Sequence, residues 1–527
     1  MLSHPELKET KAQSLPSANL DALKSMREEA CYSSLQADFK LQTHQRFLRR
    51  VLSPDSPVRN LLMVHGTGTG KSCTAIQIAE EFILRPEFQE KRVLIMANPS
   101  IQDSFKSQIF DVSKASVDSE GLITSKQCTG KRYLEMIQRA QREPLKLTDK
   151  TVQNRVMEIA SRLINEFYEF QGYESFSNLI LDKTEHELEA YIHKTFDNRL
   201  IIIDEAHNIR QKEEGGKPKL VASALEKVIK IANGVTLILL TATPMYDTYD
   251  EVLFYFNLFL WNDRRIDTKR VLKPSDYFKD DQVKADKESE FRSWCQDYVS
   301  FIRGENPFTF PFRLPPPSAL IAKTDRKTDI AGVAIKKHRR FLTLTESILS
   351  PNQASILQGL KDKKSSIIDS RVICVYPKNK SFSDSFSISE GKYVYKNENF
   401  LAPSKVQDYS SKFSLITKIL EKSEGIAFVY SNLVEDGANL FSMCLEEHGY
   451  VSALGNDLLK ETSEEIARGS RGRYLLFTSD VSNADIRKAI TRLKNPNNRD
   501  GSDIRVIVSS PKISEGVDFR YIRQIHI

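Results

Sequence analysis

The chain has 527 residues, 40% of them hydrophobic and 28% charged, with a formal net charge of +6. That length exceeds one domain and points to about three, and the composition is that of a soluble globular protein. No apolar run reaches the ~18 to 20 residues needed to cross a bilayer, and the N-terminus MLSHPELKETKAQSLPSANL lacks the apolar stretch of a signal peptide. The mild positive charge permits a nucleic-acid partner without demanding one. Six cysteines, Cys31, Cys73, Cys128, Cys295, Cys374 and Cys444, are scattered with no C-x-x-C pair. This argues for a reducing compartment and against a structural zinc site.

Residues 1 to 35 are polar and punctuated and read as an arm. From about 36 onward, strands alternate with helices. LLMVHG, VLIMANP, LIIIDEA and VTLILLTATP are short apolar runs ending in small or polar residues, as in strands buried on both faces of a parallel sheet with function at their carboxyl ends. The first runs into HGTGTGKS, residues 65 to 72, and then into the helix-like CTAIQIAEEFIL. Three glycines within five residues, where strand meets helix, let backbone N–H groups close on an anion. In that reading Gly66, Thr67, Gly68, Thr69 and Gly70 wrap a phosphate, Lys71 reaches its terminal oxygens and Ser72 holds a magnesium ion. His65 stands where the usual pattern has Gly or Ala, which leaves two readings, packing or sensing of nucleotide state.

A phosphate loop also requires a water-activating base, and LIIIDEAH, residues 200 to 207, ends a buried strand in two carboxylates. Asp204 is placed to hold magnesium through water and Glu205 to orient the attacking water. Between the second and third strands, roughly 107 to 195, the periodicity of EMIQRAQREPLKL and NRVMEIASRLINEFYEF predicts a mostly helical insertion. Residues 263 to 408 are proline-punctuated and carry a basic cluster, Arg326, Lys327, Lys336, Lys337, Arg339 and Arg340. That cluster reads as a solvated face or as a contact with a phosphate backbone. From 409 a second alternating block follows, with strands GIAFVYS, YLLFTSD, IRVIVSS and QIHI and helices SSKFSLITKILEK, VEDGANLFSMCLEEHGY and SNADIRKAITRLKN.

HGTGTGKS, DEAH, TAT at 241 to 243 and SEGVDF at 514 to 519 resemble, in order, motifs I, II, III and V of superfamily 2 helicases. FYEFQGY, IIIDEAHNIR, FIRGENPFTFPFR, FVYSNLVEDGANLF and SSPKISEGVDFRYIRQIHI narrow the likeness to the helicase-like ATPases of large nucleocytoplasmic DNA viruses, over about residues 36 to 527. These include the poxvirus early transcription factor small subunit, nucleoside triphosphatase I, and asfarvirus and mimivirus relatives. RGENP, 303 to 307, serves as a family marker whose physical role is a turn.

The resemblance implies an α/β chain of two RecA-like lobes of parallel sheet flanked by helices. The expected layout is an arm at 1–35, a nucleotide-binding lobe at 36–262, an inter-lobe insertion at 263–408 and a second lobe at 409–527, incomplete after motif V. It implies phosphate and hydrolysis roles for Lys71, Ser72, Asp204 and Glu205, with ATP and Mg²⁺ as cofactors and Gln45 reading adenine. His207, Thr241 and Thr243 would couple nucleotide to nucleic acid, as would Ser514, Glu515, Gly516 and Asp518 at the lobe interface. Pro99, Ser100, Ser431 and Asn432 would touch backbone phosphates, giving register without sequence readout.

The implied function is an ATP-driven translocase or helicase in viral transcription. The alternative is a nucleotide-dependent DNA-binding transcription-factor subunit that does not separate strands. The implied partners are DNA in preference to RNA and a viral RNA polymerase or factor subunit, in the virion and host cytoplasm, with no membrane. No Q-x-x-G-R-x-x-R follows motif V, and an arginine finger is worth roughly 10³ to 10⁵ in rate. The sequence is therefore expected to be the N-terminal part of a longer protein.

Overall fold

The structure is a computed structural model. It describes residue 25 and, from 41 to 527, all residues except 118–122, 141–146, 210–219, 246–247, 280–281, 303–313, 315, 322–344, 361–369, 479–480, 494 and 512–518. The chain divides into two compact units, Met1–Phe312 and Arg313–Ile527.

The first unit is built on six parallel strands: β1 (Asn60–His65), β2 (Val93–Met96), β3 (Tyr168–Gln171), β4 (Leu200–Ile203), β5 (Thr236–Thr241) and β6 (Val299–Ile302). Their order across the sheet is β6-β1-β5-β4-β2-β3. The apolar runs alternate faces, as strand geometry requires. Leu62, Val64, Leu94, Met96, Ile201, Ile203, Leu237 and Leu239 enter one buried core, while Leu61, Met63, Val93, Ile95, Leu200, Ile202, Ile238 and Leu240 enter the other. Both faces are therefore dry, which is why these strands carry no polar alternation. Helices α1 (Thr43–Val51), α2 (Lys71–Ile83), α3 (Pro99–Ile109) and α4 (Lys150–Phe167) contribute to the second core. Helices α5 (Tyr173–Leu181), α6 (Leu220–Ile231), α7 (Val252–Asn262) and α8 (Glu288–Tyr298) contribute to the first.

Three expectations change. NRVMEIASRLINEFYEF is helix only as far as Phe167, and the next four residues, Tyr168–Gln171, are strand β3, paired with β2. Helical periodicity cannot register a four-residue strand abutting a helix, so the expected helical insertion hides an edge of the main sheet.

The segment expected between the lobes, 263–408, is shared between the two units. Asp263 accepts from Asn60 Nδ2 at 2.5 Å and from the Tyr298 hydroxyl at 2.7 Å. Trp294 and Tyr298 are in the first unit's core, and β6 pairs with β1 from Leu62↔Val299 to His65↔Ile302. On the other side of the division, Cys374, Tyr376, Phe382, Phe386, Phe400 and Leu401 are core residues of the second unit.

The cysteines are also less scattered than the sequence suggests. Cys73 and Cys128, 55 residues apart, form a disulfide with their Cα atoms 5.4 Å apart. Linear spacing carries no sign of a pair that only the fold brings together. Cys295, Cys374 and Cys444 are free.

The second unit carries five parallel strands, β7 (Ile426–Tyr430), β8 (Val451–Ser452), β9 (Arg473–Phe477), β10 (Ile504–Ser509) and β11 (Ile522–His526), in the order β8-β9-β10-β7-β11. Helices α9 (Ser411–Lys422) and α10 (Leu440–Glu447) supply residues to one core, and α11 (Asn483–Leu493) supplies another. A π-helical turn at Val434–Asn439 leads into α10. Among the described residues, no helix is long and apolar enough to cross a membrane.

Candidate nucleotide site

The loop from Gly66 to Gly70 joins β1 to α2 at the carboxyl end of the sheet. Gly68 and Gly70 have φ of +74° and +82°, a region closed to most side chains. A Cβ on Gly70 would also stand 2.6 Å from Gln45 Nε2. The Thr69 hydroxyl donates to the Gly66 carbonyl at 2.7 Å and braces the loop. Lys71 opens α2, and its ammonium donates to the carbonyls of His65 at 3.0 Å and Gly66 at 3.4 Å. Burial lowers the Lys71 pKa, while the carboxylates of Glu205 and Asp204 pull it back up. Ser72 follows in the first turn of the same helix.

Helix α1 closes one side of the loop. Gln45 is buried; its Nε2 donates to the Gly70 carbonyl at 3.3 Å and its Oε1 accepts from Gln42 N at 2.9 Å. His44 Nε2 donates to the Thr69 carbonyl at 3.2 Å. The His44 and His65 rings meet edge-on with centroids 5.6 Å apart. His65 is buried, and its pKa is pushed down to about 3, first by burial and then by His44 and Lys71.

Two strands away in the sheet, β4 delivers Asp204 and Glu205. Asp204 N donates to the Met96 carbonyl at 3.0 Å, which fixes the strand end. The Asp204 carboxyl is buried, and its pKa is raised to about 6 by desolvation and then by the Glu205 charge. Glu205 has a φ of +52°, an unusual conformation for a residue with a side chain. Its N–H donates to Asp204 Oδ1 at 3.1 Å. His207 Nδ1 lies 3.5 Å from Glu205 Oε2, 3.3 Å from Thr241 Oγ1 and 3.4 Å from Thr243 Oγ1. Thr243 N donates to Thr241 Oγ1 at 3.0 Å. The parallel register of β4 with β5 brings the DEAH and TAT segments side by side.

The fold thus brings Lys71, Asp204, Glu205, His207, Thr241, Thr243 and Gln45 to the carboxyl edge of one sheet. Pro99 and Ser100 open α3 after β2 in the first unit. Ser431 and Asn432 follow β7 in the second; the Ser431 hydroxyl accepts from Leu433 N at 3.3 Å, and Asn432 is exposed. Ser514, Glu515, Gly516 and Asp518 lie outside the described residues, as do RGENP and the basic cluster from 326 to 340.

Four residues at the site escape sequence reasoning. Tyr173, two residues past β3, donates its hydroxyl to the Asp204 carbonyl. Gln42 and His44 serve Gln45 and the loop, and Ser300 on β6 meets His65 at 2.9 Å. FYEFQGY already ends at Tyr173, and reading YEFQ as a strand would have placed that tyrosine at the carboxyl edge.

A glycine-braced loop between strand and helix, beside a parallel strand ending in Asp-Glu, defines the P-loop nucleotide-binding class. Residues 22–246 match the family described as type III restriction enzyme, res subunit. The chain is 24% identical to a putative ATP-dependent RNA helicase of Acanthamoeba polyphaga mimivirus, covering 96% of this chain and 49% of that protein. A second mimivirus protein of the same description is 25% identical, covering 95% and 77%. The termination factor NPH-I homolog of African swine fever virus is 23% identical, covering 62% and 50%. Residues 22–246 thus carry a domain of the res-subunit type, and the chain is similar over most of its length to proteins described as helicases of large DNA viruses; it spans about half the length of the first of these relatives.

Proposed function

We propose that the chain is the ATP-hydrolysing part of a nucleic-acid translocase or helicase that serves viral transcription in the virion and host cytoplasm. The observation that carries this reading is the contact of His207 with Glu205 on one side and with Thr241 and Thr243 on the other. This buried polar link runs from the water-orienting carboxylate to the next strand end, a route by which hydrolysis can be coupled to movement on nucleic acid.

Ser72, in the first turn of α2, and Asp204, whose charge acts on Lys71, would hold magnesium through their oxygens, the hard donors that this ion takes. Held by these residues, magnesium would supply positive charge that offsets that of the phosphates. Lys71 leaves the His65 and Gly66 carbonyls for the terminal phosphate, Glu205 orients the attacking water, and Gln45 presents an amide near the adenine. Pro99, Ser100, Ser431 and Asn432 contact nucleic-acid phosphates, DNA in preference to RNA, and a viral polymerase or factor subunit is the protein partner. The swine fever virus relative is described as a termination factor, which favours a second reading, a nucleotide-dependent DNA-binding transcription-factor subunit in which hydrolysis is a release step and strands are not separated.

The test is ATP hydrolysis measured in parallel with single-stranded DNA, duplex DNA and RNA, beside strand displacement. Lys71→Ala should weaken ATP binding about tenfold or more. Glu205→Gln should keep binding and cut turnover by about 10² or more. Loss of binding in Glu205→Gln would remove that residue from its role, and stimulation without displacement would select the release reading.

A further inference from the structure

Strand β6 reaches the phosphate loop twice. Its Ile302 carbonyl accepts from Gly66 N at 3.1 Å, and its Ser300 hydroxyl lies 2.9 Å from His65 Nε2. His65 Nδ1 is buried with no hydrogen-bond partner among the described residues, so the bond to Ser300 is the one polar attachment of that ring. The two residues so gripped, His65 and Gly66, are those whose carbonyls hold the Lys71 ammonium. The imidazole is neutral, kept so by burial and by its neighbours His44 and Lys71. It therefore adds no positive charge beside the lysine and acts as a wedge between β6 and the root of the loop.

We propose that Ser300, acting through the His65 ring, is a positioning residue for the phosphate loop: it pre-orders residues 65 and 66 so that Lys71 and the loop amides meet the nucleotide with little left to freeze. The inference rests on reading residues 65–72 as a nucleotide site. It assigns a role to a residue that none of the sequence motifs includes. Without the Ser300 hydroxyl the ring loses the one hydrogen bond it makes among the described residues, the loop root samples more conformers, and binding must order them.

The experiment measures binding of Mg-ATP and turnover at saturating ATP for wild type, Ser300→Ala, Ser300→Thr, His65→Ala and the double variant His65→Ala/Ser300→Ala, with Lys71→Ala as reference. Ser300→Ala should weaken ATP binding about 3- to 10-fold, the scale of one buried hydrogen bond, while saturating turnover stays within about twofold. Ser300→Thr, which keeps the hydroxyl, should restore affinity. The double variant should bind like His65→Ala alone, because the two side chains act as one unit.

Wild-type affinity in Ser300→Ala, tighter binding, or additive losses in the double variant would overturn the inference. If Ser300→Ala fails to fold, the His65→Ala and Ser300→Thr arms still decide: unchanged affinity in His65→Ala, or weakened affinity in Ser300→Thr, overturns it. Failure of the nucleotide reading is a separate outcome, seen as no Mg-ATP binding by wild type or no loss on Lys71→Ala.

Discussion

At the scale of single residues, burial pushes His65, Asp204 and Lys71 towards their neutral forms. His65 shows the consequence for pH. Its pKa in the fold is about 3, well below the ordinary 6.5 of an unfolded imidazole. As pH falls below about 6.5 the unfolded chain takes up this proton while the folded chain does not. The stability from keeping the ring neutral is therefore fully present above pH 6.5 and lost progressively as pH falls towards 3. His65→Gln should flatten that loss, so that the variant gives up less stability than wild type between pH 7 and pH 4. Urea unfolding followed by tryptophan fluorescence reads the right unit, since both tryptophans, Trp261 and Trp294, lie in the first unit. Parallel pH curves for the two proteins would mean that the ring is not buried and neutral.

At the scale of elements, what the sequence discloses depends on how strongly an element's pattern departs from its surroundings. The four apolar runs of the first block and the four of the second all form strands of the two main sheets; in all but the edge strand at QIHI, burial leaves an unmistakable apolar run. Lys71, Asp204 and Glu205 were legible for a related reason, since each sits at the carboxyl end of such a run. Tyr168–Gln171 and Val299–Ile302 were not legible. Both are short edge strands with polar or exposed positions, and each directly follows a helix whose periodicity masks it. Ser300 and Tyr173 were lost with them.

The turn Val434–Asn439 is another feature that periodicity does not reveal. Gly437 lies against Ser431, whose Cβ would be 2.9 Å from an added methyl, with Leu433 Cβ at 3.3 Å. Gly437→Ala should destabilise the second unit by about 1 to 3 kcal/mol through overpacking, seen as a lowered midpoint in its far-ultraviolet circular dichroism transition. The tryptophan signal of the first unit serves as internal reference. An unshifted midpoint would show that the turn relaxes around the methyl at no cost.

At the scale of the whole molecule, the division falls at 312, about fifty residues past the end of the apolar helix Val252–Asn262. A fragment ending at 312 should therefore bind ATP as the full chain does, whereas one ending at 262 should aggregate, because β1 would then present an unpaired edge. Size-exclusion chromatography and ATP titration of the two fragments check this; a soluble, ATP-binding 1–262 fragment would show that β6 is dispensable. The same strand has a mechanical side. It runs parallel to β1, and its last hydrogen-bonded residue, Ile302, grips Gly66 at the entrance of the phosphate loop. The first unit ends at Phe312, ten residues further along the chain. Tension on the chain past Ile302 would load the β1–β6 ladder along the strand axis, in shear, so that the rungs share the force instead of opening one by one. The rung nearest the pull is the one at Gly66, and any strain the ladder transmits arrives first at the carbonyls on which Lys71 rests.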